Sequence, residues 1–360
     1  MRPFLLSLTA LCLAALLAAC DRRDLTYGYD NRCDVCLVTD WGALDRHPSG
    51  MTAMFYPKAG GKPLTYVTNS VDSVTFAVPV GSYRVLLFNR TVSEFGSLGF
   101  RNLDDLSTAE VYALQAAPSW VQREDDAPTT YGLEQIACTV IDDVTLTEEM
   151  RHDYGVLNTR EQPRSRTSDA LIPIYRTRPV CAAYTTTVTI HISGVQNVRS
   201  ARATMSGLAE GYFLGRGHAN SHTVTHVIED WKVTRDPGSY TEGTLSTAFV
   251  SFGMPVAAVN GRAEGLELQL ESLLQVSLLL VDNTTVVDFH YDVSRRIKVD
   301  HTDLRIVVEV GIPVPGEEGE EDPGSQPPVL PDVEDKESSS SGFDAEVSDW
   351  EDGGEKDISF

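Results

Sequence analysis

The stretch Tyr184–Ser193, YTTTVTIHIS, decides the fold, because polar and apolar residues alternate along it and most are β-branched. Such an alternation places successive side chains on opposite faces of a strand. Helix signals are weak, and the best candidate is a short piece at 293–298. Runs resembling the first stretch recur at 35–39, 51–56, 64–68, 74–78, 83–88, 136–147, 202–208, 222–233, 244–252, 266–280, 286–291 and 304–310. We therefore predict an all-β protein.

Chain length and the spacing of these runs predict two β-sandwich domains in tandem. The 360 residues are 42% hydrophobic, which is enough for two cores, since a domain usually holds roughly 100–200 residues. Strands spaced by about 8–12 residues are typical of sandwiches and barrels. We place the first domain at 31–154, a polar linker at 155–170 and the second domain at 171–360.

The acidic balance of the chain is uneven. A formal net charge of −23 argues against nucleic acid as a partner, because phosphate binding needs a surface rich in Lys and Arg. Residues 316–360 hold 16 acidic and 2 basic residues. Within them, 316–341 is of low complexity and is predicted to be disordered, since it carries little apolar surface to bury. Residues 343–350, FDAEVSDW, alternate again and predict a last strand that can complete a sheet or add to another molecule.

The N-terminus predicts export. Residues 4–17 are almost wholly apolar, too short for a membrane span of about 20 residues but typical of a signal-peptide core. This run ends in LAAC at 17–20, which resembles the lipobox of bacterial lipoproteins. In that family the Cys20 sulfur takes a diacylglycerol, so residues 1–19 are a signal peptide and residues 20–30 a tether. The alternative is an ordinary secreted protein in which Cys20 is incidental.

Four further cysteines are candidates for disulfides: Cys33, Cys36, Cys138 and Cys181. An even number in an oxidising compartment favours bridges, and the connectivity stays open. Cys33 and Cys36 form a C-x-x-C motif, but no βαβ pattern surrounds it, as a thioredoxin-like site would require. A second C-x-x-C that would complete a zinc site is also missing from the sequence.

Three histidines, His218, His222 and His226, are spaced by four residues. On a helix they would share a face and could hold a metal, but the β-branched residues between them favour a strand. Along a strand, four residues span about 13 Å, too far for one ion to bridge. We therefore predict polar surface histidines, no metal and no cofactor.

Enzyme motifs are missing from the sequence. It contains no G-x-S-x-G elbow, phosphate-binding glycine loop or zinc-protease motif. The acid pairs Asp104–Asp105, Asp125–Asp126 and Asp142–Asp143 lie beside turn-prone residues and are predicted to be surface turns rather than a glycosidase pair. We predict a non-enzyme.

The four tryptophans could be core anchors or a platform for sugar rings: Trp41, Trp120, Trp231 and Trp350. Trp120 follows Pro118 and Ser119 in a predicted loop and is the best candidate for an exposed aromatic. It keeps open the alternative of a surface glycan-binding lipoprotein.

Four features together resemble a known family. They are the lipobox followed by RRDL at 22–25, the strand ending in Asp40 and Trp41, the run PVGSYRVLLFN at 79–89 leading into TVSEF at 91–95, and FDAEVSDW at 343–350. This combination resembles the fimbrillin-like lipoproteins of Bacteroides-type bacteria, close to the minor-fimbrium anchoring-subunit group.

The resemblance implies two transthyretin-like β-sandwich domains on a lipid anchor in the outer membrane, at the cell surface. It also implies a fimbrial anchor, accessory or tip-like subunit in adhesion. Its expected partners are other fimbrial subunits, or a second copy, bound by strand addition. The long acidic segment before the last strand departs from the family's pattern.

Overall fold

The computed structural model describes residues 32–121, 128–150, 172–259, 262–267, 271–313 and 323–334. Over these residues the regular structure is β, apart from three short 3-10 helices at Glu148–Met150, Val195–Asn197 and Pro323–Ser325. The all-β prediction is therefore confirmed. The helix predicted at 293–298 is wrong, because residues 294–296 form a turn that leads directly into a strand.

The described strands, in chain order, have the following bounds: β1 Arg32–Thr39, β2 Met51–Pro57, β3 Leu64–Thr68, β4 Ser73–Pro79, β5 Gly81–Asn89, β6 Leu98–Arg101, β7 Glu110–Ala113, β8 Thr129–Thr130, β9 Ala137–Leu146, β10 Ile174–Thr177, β11 Val180–Cys181, β12 Tyr184–Ser193, β13 Val198–Ala209, β14 Gly211–Phe213, β15 His218–Ala219, β16 Thr223–Ile228, β17 Lys232–Arg235, β18 Glu242–Ser251, β19 Val256–Val259, β20 Arg262–Glu267, β21 Leu273–Leu280, β22 Val286–Asp292, β23 Ile297–Asp300 and β24 Arg305–Val310.

These strands form six sheets, which we name A to F. Their strand orders are β10-β1-β4 in sheet A, β11-β9-β5-β2-β3 in sheet B, β15-β14-β7-β6 in sheet C, β22-β21-β13-β16-β8 in sheet D, β17-β18-β12-β24-β23 in sheet E and β19-β20 in sheet F. Most pairs are antiparallel. The exceptions among the described pairings are β12 with β24 and β16 with β8, which run parallel.

The chain divides into two compact units of unequal size. The described residues of the smaller unit are 32–36, 75–81, 145–150 and 172–174. Within it, Arg32 Nη1 donates to the carbonyl of Ala77 at 3.0 Å, and the Cys36 backbone N–H donates to the carbonyl of Pro173 at 2.9 Å. The remaining described residues belong to the larger unit.

One hydrophobic core of the larger unit lies between sheets D and E, which form a β-sandwich. Along β12 the buried residues are Thr186, Val188, Ile190 and Ile192, as the alternation of YTTTVTIHIS predicts. They share this core with Met205 of β13 and with residues of β21 and β24. Each fully buried aliphatic side chain contributes about 1.5–3 kcal/mol to folding.

A second hydrophobic core of the larger unit includes side chains from sheets B and C. It contains Leu86 and Phe88 of β5, Val111 of β7 and Tyr212 of β14. Residues 85–88 of β5 are all fully buried. Both faces of β5 are therefore covered, which is why its sequence VLLF is a continuous apolar run rather than an alternation.

Four sheets, A to D, combine strands from before and after the predicted linker, and in sheet A these are β10 with β1 and β4. In sheet C, β7 pairs with β14, placing Val111 opposite Tyr212. Sheet B pairs β9 with β11, and sheet D pairs β8 with β16. The linker at 155–170 lies outside the described residues, and the tandem boundaries 31–154 and 171–360 stay a prediction.

Part of the predicted acidic disordered segment is packed, which corrects that prediction for residues 323–334. Leu330 is only 4% exposed and belongs to the sheet D–sheet E core. The Leu330 N–H donates to the carbonyl of Ser193 at 2.8 Å, and the Ser193 N–H donates to the carbonyl of Pro328 at 3.0 Å. The sequence PPVLP at 327–331 is apolar although its flanks are acidic, and this local apolar content drives the packing.

Several predictions fall outside the described residues. They are the signal peptide at 1–19, Cys20, the tether at 20–30, the linker, Asp125 and Asp126, and the last strand at 343–350 with Trp350. Among the described helices, none has the length and apolar character needed to cross a bilayer.

Candidate functional site

A network of buried and half-buried charged and amide side chains lies at sheet C. Arg101, the last residue of β6, faces Glu110, the first residue of β7. The guanidinium donates to both Glu110 oxygens, from Nε to Oε2 at 2.7 Å and from Nη2 to Oε1 at 2.9 Å. Nη2 also donates to Glu210 Oε2 at 3.2 Å. One arginine therefore holds two glutamates whose side chains are 5% and 18% exposed.

Asn220 completes this network. Its Nδ2 donates to Glu110 Oε1 at 2.7 Å and to Glu210 Oε2 at 3.4 Å. Its Oδ1 accepts the backbone N–H of Gly211 at 3.3 Å and of His222 at 3.2 Å. The asparagine is 3% exposed, so a buried amide links both carboxylates to the loop that follows β15.

Local backbone conformation brings these groups together. Asn102, which follows Arg101, adopts a left-handed φ of 57°, a conformation that Asn tolerates better than most residues. A Cβ added at Gly211 would lie 2.7 Å from the Val111 carbonyl oxygen and 2.8 Å from Glu110 Oε1. Only glycine lets the start of β14 approach β7 this closely.

The charges of the network do not cancel. Two carboxylates and one guanidinium leave one excess negative charge. Hydrogen bonding to Glu110 is the main reason why the pKa of Arg101 is raised further above its usual range, so the guanidinium stays charged. A buried carboxylate of this kind needs its partners, because an unpaired charge in a protein interior is costly.

The network borders a pocket of about 420 Å³. Its lining also includes Phe213, Arg216, His218, Ala219, Ser221, His222 and Val256. The Arg216 guanidinium lies over the Phe213 ring at 5.1 Å, and the His218 ring meets the same ring edge-on at 5.5 Å. His218 Nδ1 lies 2.8 Å from the carbonyl oxygen of Ala219, which can only accept, so Nδ1 carries a proton.

The histidine series does not form one site. His218 and His222 line the pocket, whereas His226 is fully buried on β16, with its ring 4.9 Å from that of Phe249. The surface placement predicted for His226 is therefore wrong. Burial lowers the pKa of His226 to about 3, which keeps the imidazole neutral. Among the described residues, no cluster of His, Cys, Asp and Glu could hold a metal ion.

The candidate cysteines fall in both compact units. Cys33 is buried, and its thiol lies 3.4 Å from the carbonyl oxygen of Thr147; Cys36 is half-buried. Cys138 on β9 is opposite Val180, while Cys181 on β11 is opposite Ala137. Burial raises the pKa of the Cys138 thiol to about 12. No bond joins Cys138 to Cys181 in this structure, and the disulfide assignment stays a prediction.

The described tryptophans are mainly structural. Trp41 is 4% exposed, and its indole N–H donates to the carbonyl of Val71 at 2.9 Å. Trp231 packs against the sheet D–sheet E core. Trp120 is half-buried rather than exposed, because its Nε1 donates to Glu229 Oε1 at 2.9 Å and the Arg202 guanidinium covers the ring at 4.5 Å.

Of the acid pairs singled out in the sequence, the two that the structure describes lie at the surface, and Asp142–Asp143 lies on β9 rather than in the predicted turn. Arg84 pairs with Asp142 at 2.7 Å, and Lys58 pairs with Asp143 at 2.9 Å. Asp105 accepts hydrogen bonds from Ser107. The buried pair Glu110 and Glu210 was not anticipated. Its one sequence signal is a glutamate inside the apolar stretch AEVYA at 109–113, since a charge in a buried strand requires a partner.

Fold and site together define an all-β protein with a polar pocket beside a small antiparallel sheet. The chain belongs to the family described as Domain of unknown function (DUF5119), which matches residues 19–229. A curated relative from Bacteroides ovatus, described as "Putative fimbrium anchoring subunit Fim4B", is 24% identical over 203 residues, which are 56% of this chain and 53% of that protein. The match thus spans about half the length of the relative.

Solved structures also resemble this chain. A crystal structure of "a putative adhesin" from Bacteroides ovatus aligns with a TM-score of 0.52 and 18% identity, covering 82% of this chain and 98% of the other. The fimbrial anchor protein Mfa2 from Porphyromonas gingivalis aligns with a TM-score of 0.41 and 11% identity, covering 79% and 93%. The family match and the relative described as "Putative fimbrium anchoring subunit Fim4B" confirm the resemblance to fimbrillin-like proteins drawn from the sequence.

Proposed function

We propose that this protein is a lipid-anchored accessory or anchoring subunit of a fimbrium, held in the outer membrane at the cell surface and acting in adhesion. Support comes from its similarity to a protein described as a fimbrium anchoring subunit and from a fold shared with an adhesin. The relatives with described roles are structural proteins rather than enzymes, in line with a non-enzyme. The proposed architecture is two transthyretin-like sandwiches, 31–154 and 171–360.

Membrane attachment is proposed at Cys20. The LAAC sequence at 17–20 motivates it, because two or more acyl chains on one cysteine give stable anchoring whereas one chain does not. Cys20→Ser should release the protein into a soluble envelope fraction and remove a fatty-acid adduct from the N-terminal peptide in mass spectrometry. Cys181→Ser is the matched control and should stay in the membrane. An unmodified Cys20 in the wild type would refute the anchor.

Partner binding is proposed to use strand addition by the C-terminal region. The observation that carries this proposal is the parallel bridge of Val329 with Ser193, together with the burial of Leu330. Residues 328–330 follow β24, which ends at Val310, and form backbone hydrogen bonds with Ser193, the last residue of β12. These backbone hydrogen bonds support the proposal, because bonds of this kind bind partner strands in other proteins.

The experiment compares two neighbouring substitutions in the predicted last strand. If 343–350 adds as a strand, Val347 lies on the apolar face that packs into the acceptor's core, and Ser348 lies on the opposite face of the extended sheet. Val347→Lys should reduce fimbriae counted by electron microscopy in the source bacterium, while Ser348→Lys should leave them unchanged. Equal counts for wild type and Val347→Lys would contradict strand addition.

The alternative role, surface glycan binding, is tested separately with a glycan array. Trp120→Ala is the matched variant, because Trp120 is the tryptophan that the sequence analysis proposes for stacking on sugar rings. If the wild type binds a saccharide tightly and Trp120→Ala does not, glycan binding replaces the fimbrial role as the proposed function. Absence of saccharide binding by the wild type would leave the fimbrial proposal in place.

A further inference from the structure

We propose that the pocket beside sheet C binds a primary alkylammonium group, the chemistry of a lysine side chain. The proposal rests on the charge, the hydrogen bonding and the apolar wall of this pocket. It does not depend on the fimbrial role, because neither strand addition nor lipidation enters the argument.

One carboxylate oxygen of the network has no hydrogen-bond donor among the described residues. Glu210 Oε2 accepts hydrogen bonds from Arg101 and Asn220, whereas Oε1 accepts none from any residue that the structure describes. The side chain is only 18% exposed and lines the pocket. An incoming N–H donor with a positive charge would satisfy this oxygen and balance the second carboxylate.

Glu134 shows what a completed carboxylate site looks like in the same protein. Its Oε1 accepts from Arg90 Nη1 at 2.7 Å, and its Oε2 accepts from the backbone N–H of Gly96 and Ser97 at 2.5 and 3.0 Å. These bonds hold the pKa of Glu134 below its usual range against the opposing effect of burial. Among the described residues, Glu210 has no such second set of donors, which leaves its Oε1 available to a ligand.

A second cation, Arg216, also lines the pocket but stands apart from the hydrogen-bonded network. Arg216 lies over Phe213 and is close enough to Asp105 to help lower the pKa of that carboxyl, an effect that comes mainly from Ser107. Among the described contacts, Arg216 makes no hydrogen bond or ion pair with Glu110 or Glu210. The network of Arg101 with Glu110 and Glu210 keeps its excess negative charge.

The remaining lining fits an aliphatic stem ending in an ammonium. Phe213, Ala219 and Val256 form the apolar part of the wall, against which methylene groups can pack. Because His218 Nδ1 is protonated, its Nε2 in the neutral ring is an acceptor for a second N–H. One available carboxylate oxygen suits the point charge of an ammonium better than a guanidinium, which binds best through two parallel bonds.

The test uses the mature full chain and two probes titrated by calorimetry. The probes are pentane-1,5-diamine, compared with its N,N′-diacetyl form, and a blocked Gly-Lys-Gly peptide, compared with its Nε-acetyl-lysine form. We expect a dissociation constant below about 1 mM for at least one amine. Acetylation should weaken binding at least tenfold, because the loss of one charge-assisted hydrogen bond typically costs about that factor. Tighter binding of the peptide assigns a lysine of a protein partner, and tighter binding of the diamine assigns a free amine.

Matched variants localise the binding. Ser221 is exposed and lines the pocket. Ser221→Lys places an ammonium inside the pocket and should abolish binding of the probe. Ser221→Gln adds similar bulk without charge and should leave binding of the probe unchanged. Glu210→Gln should weaken binding at least about tenfold, whereas Glu309→Gln, which removes the same charge outside the pocket, should not. Thermal melts check the fold of each variant. No binding by the wild type, equal binding after acetylation, or equal losses in Ser221→Lys and Ser221→Gln would overturn the proposal.

Discussion

Arg101 and Glu110 face each other across β6 and β7, and the guanidinium contacts both carboxylate oxygens, at 2.7 and 2.9 Å. The same arginine reaches Glu210, which precedes β14. Since β7 and β14 come from opposite sides of the predicted linker, this ion pair ties together chain segments that are about a hundred residues apart in sequence.

Arg101→Met should destabilise the protein by about 2 kcal/mol or more, because it leaves Glu110, 5% exposed, without its charged partner. The free energy of unfolding from urea titration measures this effect. Arg84→Met is the control, since Arg84 pairs with Asp142, whose side chain is 76% exposed. That change should cost less than about 1 kcal/mol, and equal losses in both variants would contradict the role of Arg101.

His226 should make stability fall as the pH is lowered. Its pKa is about 3 in the folded state, against an ordinary value of 6.5, so between these values the unfolded chain takes up a proton that the folded chain refuses. Stability is therefore fully present above pH 6.5 and decreases below it. Between pH 6.5 and 5 the loss attributable to His226 should be about 2 kcal/mol.

The measurement compares urea unfolding at pH 7 and 5 for wild type, His226→Leu and His290→Gln. His226→Leu should remove this part of the pH dependence. The control, His290→Gln, changes an exposed histidine on β22 and should retain it. An unchanged pH dependence in His226→Leu would show that the imidazole is not kept neutral by burial.

Leu330→Ala should cost about 2–4 kcal/mol, because Leu330 is 4% exposed within the sheet D–sheet E core. Val329→Ala is the neighbouring control. Val329 is 75% exposed, and its truncation should change stability by less than about 0.5 kcal/mol. Chemical denaturation measures both values, and a Leu330→Ala cost as small as that of the control would mean that 323–334 does not pack in solution.

Cleavage within 155–170 should leave the two fragments associated. β7 pairs with β14, β9 with β11 and β8 with β16, so strands on both sides of the cut share sheets. A protease site inserted there, followed by size-exclusion chromatography in native buffer, should give one peak containing both fragments. Separation without denaturant would contradict this arrangement and favour independent tandem domains.

Much of the β structure follows from local sequence. The predicted strands at 51–56, 64–68 and 83–88 coincide with β2, β3 and β5, and PKAGGKP forms the loop between the first two. Alternating β-branched residues and Gly-Pro turns are local signals, and here tertiary packing agrees with them. The helix predicted at 293–298 was wrong, because a turn between two strands can show the same mix of apolar and polar residues as a short helix.

The site could not be predicted in the same way. Arg101, Glu110, Glu210 and Asn220 span 120 residues, and no spacing rule links them. Their proximity depends on the pairing of β7 with β14, a contact set by the global topology. The acid pairs that are conspicuous in the sequence, such as Asp142 and Asp143, are instead solvated surface residues.

By itself, the sequence determined that the chain is a β protein, because strands are signalled by polar and apolar residues that alternate along a short stretch of chain. Only the tertiary structure decided which strands share a sheet, that residues 323–334 pack and that two glutamates share one arginine. These features depend on contacts between distant segments, whose free energy comes from burial and charge pairing in three dimensions rather than from local propensity.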